Sequence, residues 1–165
     1  MFEKPKESIS CAWGEVKEMH MQDLPTLNPY ARRDNYYVGK DRTYLVVRRD
    51  GPPINLGAFL GRNPILWGTL QERTLPSLLP AYLADLDNAK TVNFGEVQGS
   101  GDGLRSGKEK LAWKDIKNAK FHNGRVWIQH KTDKRKDWTF ETPNAVPNVH
   151  VLVALTRKMA QLPGS

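Results

Sequence analysis

The sequence predicts an α+β chain in which short antiparallel strands are covered by amphipathic helices. Three observations predict it. Residues Thr43–Arg49, Arg125–His130 and Trp138–Thr142 are β-branched or aromatic runs with period-two alternation. Leu75, Leu78, Leu79, Tyr82, Leu83 and Leu86 recur with helical spacing. A third observation is a short motif, Ala-Trp-x-acid-β-branched-Lys, which begins at Ala12 and again at Ala112.

Taken in order, Ser8–Met21 reads as a strand with an irregularity near Gly14, and residues 22–35, with Pro25 and Pro29, as a loop. Thr43–Arg49 is a strand closed by Asp50-Gly51-Pro52-Pro53, and Ile54–Leu60 is a short one. Asn63-Pro64 has the form of a helix N-cap followed by proline. Pro76 and Pro80 each remove an amide donor, so two helical pieces are expected, at 64–74 and 77–87. Thr91–Val97 is a strand, Gln98–Gly103 a glycine-rich turn, Leu104-Arg105 a short strand and Lys110–Phe121 an extended segment around Trp113. Asn123-Gly124 is a hairpin turn. A final helix begins at Asn144 or Val146 and lines one face with Val149, Leu152, Val153 and Met159. The tryptophans at 13, 113, 127 and 138 read as core or sheet-face anchors rather than platforms for bases.

Each copy of the Ala-Trp motif precedes strands, a proline-started segment and an amphipathic helix, which suggests a duplication. The division expected is 1–88, an abbreviated copy, and 89–165, a fuller one with the additional strands Thr91–Val97 and Leu104–Ser106.

Composition narrows the function classes. Hydrophobic residues are 39% and charged residues 26% of 165, and five each of Trp, Tyr and Phe favour a packed core. No apolar stretch reaches the roughly 18 residues of a membrane span. The first residues lack the apolar core of a secretory leader, and the single Cys11 forms no internal disulfide, so a cytoplasmic setting is expected. Lys and Arg total 25 against 18 Asp and Glu, a net charge of +7. The basic excess concentrates in residues 101–141, densest at Lys131-Thr132-Asp133-Lys134-Arg135-Lys136. Such a run is ordinarily a solvated turn; its functional reading is an anion-binding patch, weakened by Asp133 and Asp137.

No catalytic or metal site emerges. His20, His122, His130 and His150 have no metal-ligand spacing, Cys11 has no nucleophile signature, and Gly99-Ser100-Gly101-Asp102-Gly103 lacks the Lys-Ser/Thr pair of a phosphate loop. Glu15 and Asp115, at equivalent motif positions, are not expected to meet. The expectation is a non-enzyme without cofactor.

Phe94-Gly95, Gly103-Leu104, Leu111-Ala112-Trp113-Lys114-Asp115-Ile116, Asn123–Ile128, Trp138 and Val146-Pro147-Asn148 before a closing helix together resemble bacterial pleckstrin-homology-like (PH-like) domains, especially a tandem-copy family. The resemblance covers about 91–162 well and 8–86 loosely. It implies a bent antiparallel barrel plugged by its C-terminal helix. It also implies a binding module for a protein or peptide partner, or for an acidic lipid head group at a membrane periphery. The anionic contacts expected are Lys131, Lys134, Arg135 and Lys136, with Lys108 and Lys110 nearby. The alternatives are a basic nucleic-acid-binding protein, and an assembly protein whose abbreviated copy is completed in a homodimer.

Overall fold

The computed structural model describes residues 11–27, 38–56, 64–122, 124–141 and 146–162. The chain is α+β, with ten strands and two α-helices among these residues. In the first segment β1 (Val16–Leu27), β2 (Val38–Arg48) and β3 (Ile54–Leu56) form an antiparallel sheet in sequence order, followed by α1 (Pro64–Asp87). The second segment opens with a four-stranded meander, β4 (Val92–Phe94), β5 (Val97–Ser100), β6 (Gly103–Ser106) and β7 (Glu109–Ala112). A three-stranded meander follows, β8 (Ile116–His122), β9 (Arg125–His130) and β10 (Trp138–Glu141), and then α2 (Val149–Met159). The three sheets are antiparallel and separate; among the described residues none closes into a barrel.

Several boundaries differ from expectation for identifiable reasons. Residues 22–27 continue β1 rather than forming a loop. Pro25 is tolerated there because β1 is an edge strand, where one missing amide donor costs no ladder bond on the open side. Gln98–Ser100 belongs to β5 rather than to a turn, because the reversal comes earlier, at Gly95, whose φ of 71° suits only glycine comfortably. The extended segment around Trp113 is interrupted by a 3₁₀ turn, Trp113–Asp115. The last helix begins at Val149, later than expected, because Asn148 adopts a left-handed conformation. Residues 8–10, 28–35, 57–63, 144 and Asn123 carry expectations that lie outside the described residues.

The expected break in α1 does not occur: one 24-residue helix runs through Pro76 and Pro80. The prolines are four apart, and both are solvent-exposed, so the carbonyls they leave unpaired can be hydrated. An interior proline costs about 3 kcal/mol. Burial of Trp67, Leu70, Leu78 and Leu86 along the opposite side, roughly 6–12 kcal/mol in all, offsets the roughly 6 kcal/mol of the two prolines.

The Ala-Trp motifs take the same local form in both segments. Ala12 (φ −70°, ψ 147°) and Ala112 (φ −68°, ψ 145°) each lead into a 3₁₀ turn. Each turn feeds a strand with a bulge, at Val16/Glu18 and Ile116/Asn118. The amide at the end of the following strand returns to the turn, Arg49 N to Glu15 O and Lys131 N to Asp115 O, both at 2.8 Å. The helices also finish alike. Ala89 (φ 55°) and Gln161 (φ 54°) occupy the left-handed position of a Schellman closure. Its long bonds are Lys90 N to Asp85 O, 2.9 Å, and Leu162 N to Arg157 O, 2.8 Å.

Buried residues of both segments join one core. Tyr82 of α1 stacks on Phe94 of β4 with ring centroids 4.9 Å apart. Trp67 of α1 stacks on Tyr44 of β2 at 4.6 Å and meets His150 of α2 edge-on at 6.4 Å. Trp113 and Trp138 are buried anchors as expected, but Trp13 is not: it is 44% exposed.

Asn148 joins the segments through hydrogen bonds. Its amide N donates to Met19 O at 2.8 Å, and its Oδ1 accepts from Met19 N at 2.8 Å. Its Nδ2 donates to Lys17 O at 3.2 Å and to the Tyr82 hydroxyl at 2.9 Å. Asn148 thus acts as one extra rung on the outer edge of β1, at the bulge where Lys17 has no ladder partner. On β8, the counterpart edge, Arg157 Nε of α2 covers Ala119 O at 2.9 Å.

Candidate functional site

The basic run lies in the connection between β9 and β10, where Lys134–Lys136 form a 3₁₀ turn. The turn is braced by its own polar groups. His130 Nδ1 accepts the amides of Thr132 (3.2 Å) and Asp133 (3.1 Å), which fixes the imidazole as the Nε2–H tautomer when neutral. Asp133 caps the turn, accepting Arg135 N at 3.0 Å and Arg135 Nε at 3.2 Å. These contacts with Arg135 hold the Asp133 carboxyl below its usual range. Asp137 Oδ1 accepts the His130 amide at 2.8 Å. The two acids inside the run are therefore scaffold for the turn.

A cleft of about 440 Å³ lies between this turn and β7. Three of the expected residues line it: Lys110 of β7, Arg135 and Lys136. Lys108, Lys131 and Lys134 are exposed but do not line it. The cleft also holds Glu109, Asp115 and Asp137, so three cations face three carboxylates, with His130, Leu111 and Trp138 completing the wall. Arg135 remains available to a ligand, since its side chain is 91% exposed and its ion pair with Asp133 is a surface one. The acids from β7 and from the Trp113 turn were not legible beforehand, because they approach the basic run only through the packing of one meander against the other.

A second polar cluster, also not anticipated, lies in the core. Thr74 Oγ1 donates to Leu70 O at 2.7 Å and lies 3.0 Å from His150 Nε2, so the imidazole donates to the hydroxyl. That tautomer leaves His150 Nδ1 buried without a partner among the described residues, as are Trp67 Nε1 and Thr43 Oγ1. Burial lowers the His150 pKa from 6.5 to about 4. At Cys11 desolvation, reinforced by the Glu15 carboxylate, raises the thiol, which disfavours the thiolate a nucleophile requires. No helix among the described residues is long and apolar enough to cross a membrane.

No curated protein and no solved structure matches the chain. The model of DUF6585, a family of unknown function, matches residues 12–164, beginning at the alanine of the first Ala-Trp motif, and the chain belongs to that family.

Proposed function

We propose that the chain is a non-catalytic binding module of PH-like type that docks a protein or peptide segment of mixed charge in the cleft between β7 and the Lys134–Lys136 turn. What supports the PH-like reading is the succession of a four-stranded meander, a three-stranded meander and a helix lying against β8. The matched geometry of the two Ala-Trp motifs and of the two helix ends supports a duplication, with 1–88 the abbreviated copy.

The observation that carries the choice of ligand is the charge of the cleft. Lys110, Arg135 and Lys136 are matched by Glu109, Asp115 and Asp137. A lipid head group or a nucleic-acid backbone would bring its phosphates against those three carboxylates, a repulsion that a peptide with alternating charges avoids. The apolar faces of Leu111 and Trp138 suit a side-chain anchor.

The test presents the chain with short peptides graded in charge pattern, with phosphatidylserine vesicles and with a single-stranded oligonucleotide. Peptides carrying both signs of charge are expected to bind, and Arg135→Ala/Lys136→Ala to weaken them roughly tenfold, about 1.4 kcal/mol. Salt-sensitive binding to the vesicles or the oligonucleotide, with no peptide bound, would overturn the reading, as would a double variant that binds as the parent does.

A further inference from the structure

Trp13 and Trp113 begin the same turn with the same backbone geometry, yet one is exposed and the other is not. Trp113 is 7% exposed. Its cover is the turn between β5 and β6: Nε1 donates to Ser100 O at 3.0 Å and to Gly101 O at 3.1 Å. The Trp113 amide donates to Asp102 O at 3.4 Å. The described residues before β1 hold no such hairpin, and Trp13 is 44% exposed.

From this pairing we infer that the Trp13 face is a docking surface for a β-hairpin of a partner protein, one whose turn carries small residues and an acid in the manner of Ser100-Gly101-Asp102. The hydrogen-bonding requirement is explicit. An indole N–H needs one carbonyl at close approach, and the turn over Trp113 offers two, Ser100 O and Gly101 O; a turn with bulky residues could not bring its backbone that near. Charge complementarity favours an acidic turn. Arg49 Nε lies on the Gly14 carbonyl at 3.3 Å, and Lys17 is exposed one residue into β1. The Glu15 carboxylate keeps its charge but is held back on the Ala12 amide at 3.0 Å, leaving Arg49 and Lys17 the larger share of the local charge. This surface is separate from the cleft: it involves neither Arg135 nor Lys136.

The experiment uses the whole chain and, as probe, a cyclised peptide with the sequence of residues 97–106, titrated by calorimetry. The parent is expected to bind it saturably. Trp13→Phe, which keeps a ring and loses the N–H, is expected to weaken binding roughly tenfold, and Trp13→Ala to abolish it. A cyclic peptide with lysine at the place of Asp102 should bind more weakly than the parent peptide. Arg135→Ala/Lys136→Ala should bind the hairpin as the parent does, which separates this surface from the cleft. No binding by the parent, or equal binding by Trp13→Ala, would overturn the inference. So would self-association that Trp13→Ala abolishes while the hairpin fails to bind, since the occupant would then be a second copy of the chain.

Discussion

Asn148→Ala is expected to destabilise the protein by about 4 kcal/mol, measured as a lowered urea midpoint. Asn148 is fully buried, and its carboxamide satisfies three groups: Met19 N, Lys17 O and the Tyr82 hydroxyl. Truncation strands the buried Met19 amide and the part-buried Lys17 carbonyl, at about 1–3 kcal/mol each. It also leaves a β-carbon-bearing residue without local compensation at φ 49°, which adds about 1 kcal/mol. Asn148→Gly relieves the backbone component alone and should recover about 1 kcal/mol of the loss. Tyr82 keeps its stacking on Phe94 in both variants, and burial raises its phenol pKa, so it stays neutral and contributes no compensating charge. A loss under about 1 kcal/mol for the alanine variant would mean that the segments do not depend on this residue.

The second large effect is a pH dependence. The His150 pKa falls from 6.5 unfolded to about 4 folded. Its depressed value means that the unfolded chain binds the proton more readily. The contribution is therefore fully present above pH 6.5, declines as pH falls below it, and is gone below about pH 4. The difference corresponds to about 3 kcal/mol. His150→Leu removes the titrating group, while Thr74 keeps its donor bond to Leu70 O. Unfolding free energies at pH 7 and pH 4.5 should diverge by about 2–3 kcal/mol more for the parent than for the variant. Equal pH responses would show that the imidazole is hydrated or compensated in the folded chain.

Some of this was visible in the residues. The Ala-Trp motif stood out as a repeat, but both copies read as extended chain, with an irregularity near Gly14 in the first, and the 3₁₀ turns they form were not legible. In the first copy the acid reaches back to the Ala12 amide, a bond the shorter Asp115 is not seen to make to Ala112 among the described residues. Period-two runs located β2, β9 and β10, and the apolar spacing located α1. What stayed hidden was set by contacts distant in sequence. Pro76 and Pro80 read locally as helix breakers, and only the burial of Trp67, Leu70 and Leu78 on the other side of α1 reverses that. Trp13 read as a core or sheet-face anchor like the other tryptophans, yet Trp113 is buried by a hairpin that, among the described residues, has no counterpart in the first segment. In the cleft, Arg135 and Lys136 were legible as a basic run, whereas Asp115 and Glu109 arrive from other strands and change its charge from cationic to balanced. Asn148 stands in the Val146-Pro147-Asn148 stretch before the closing helix, but nothing local tells that its carboxamide bonds a residue 129 positions away.

Native-state hydrogen exchange of the Met19 amide tests most directly the claim that Asn148 welds the two segments into one cooperative body. The amide donates to Asn148 Oδ1, and the weld predicts that it exchanges only by global unfolding, with the same opening free energy as the core amide of Ile128 in β9. Exchange at Met19 through a separate, lower-energy opening, while Ile128 stays protected, would contradict it.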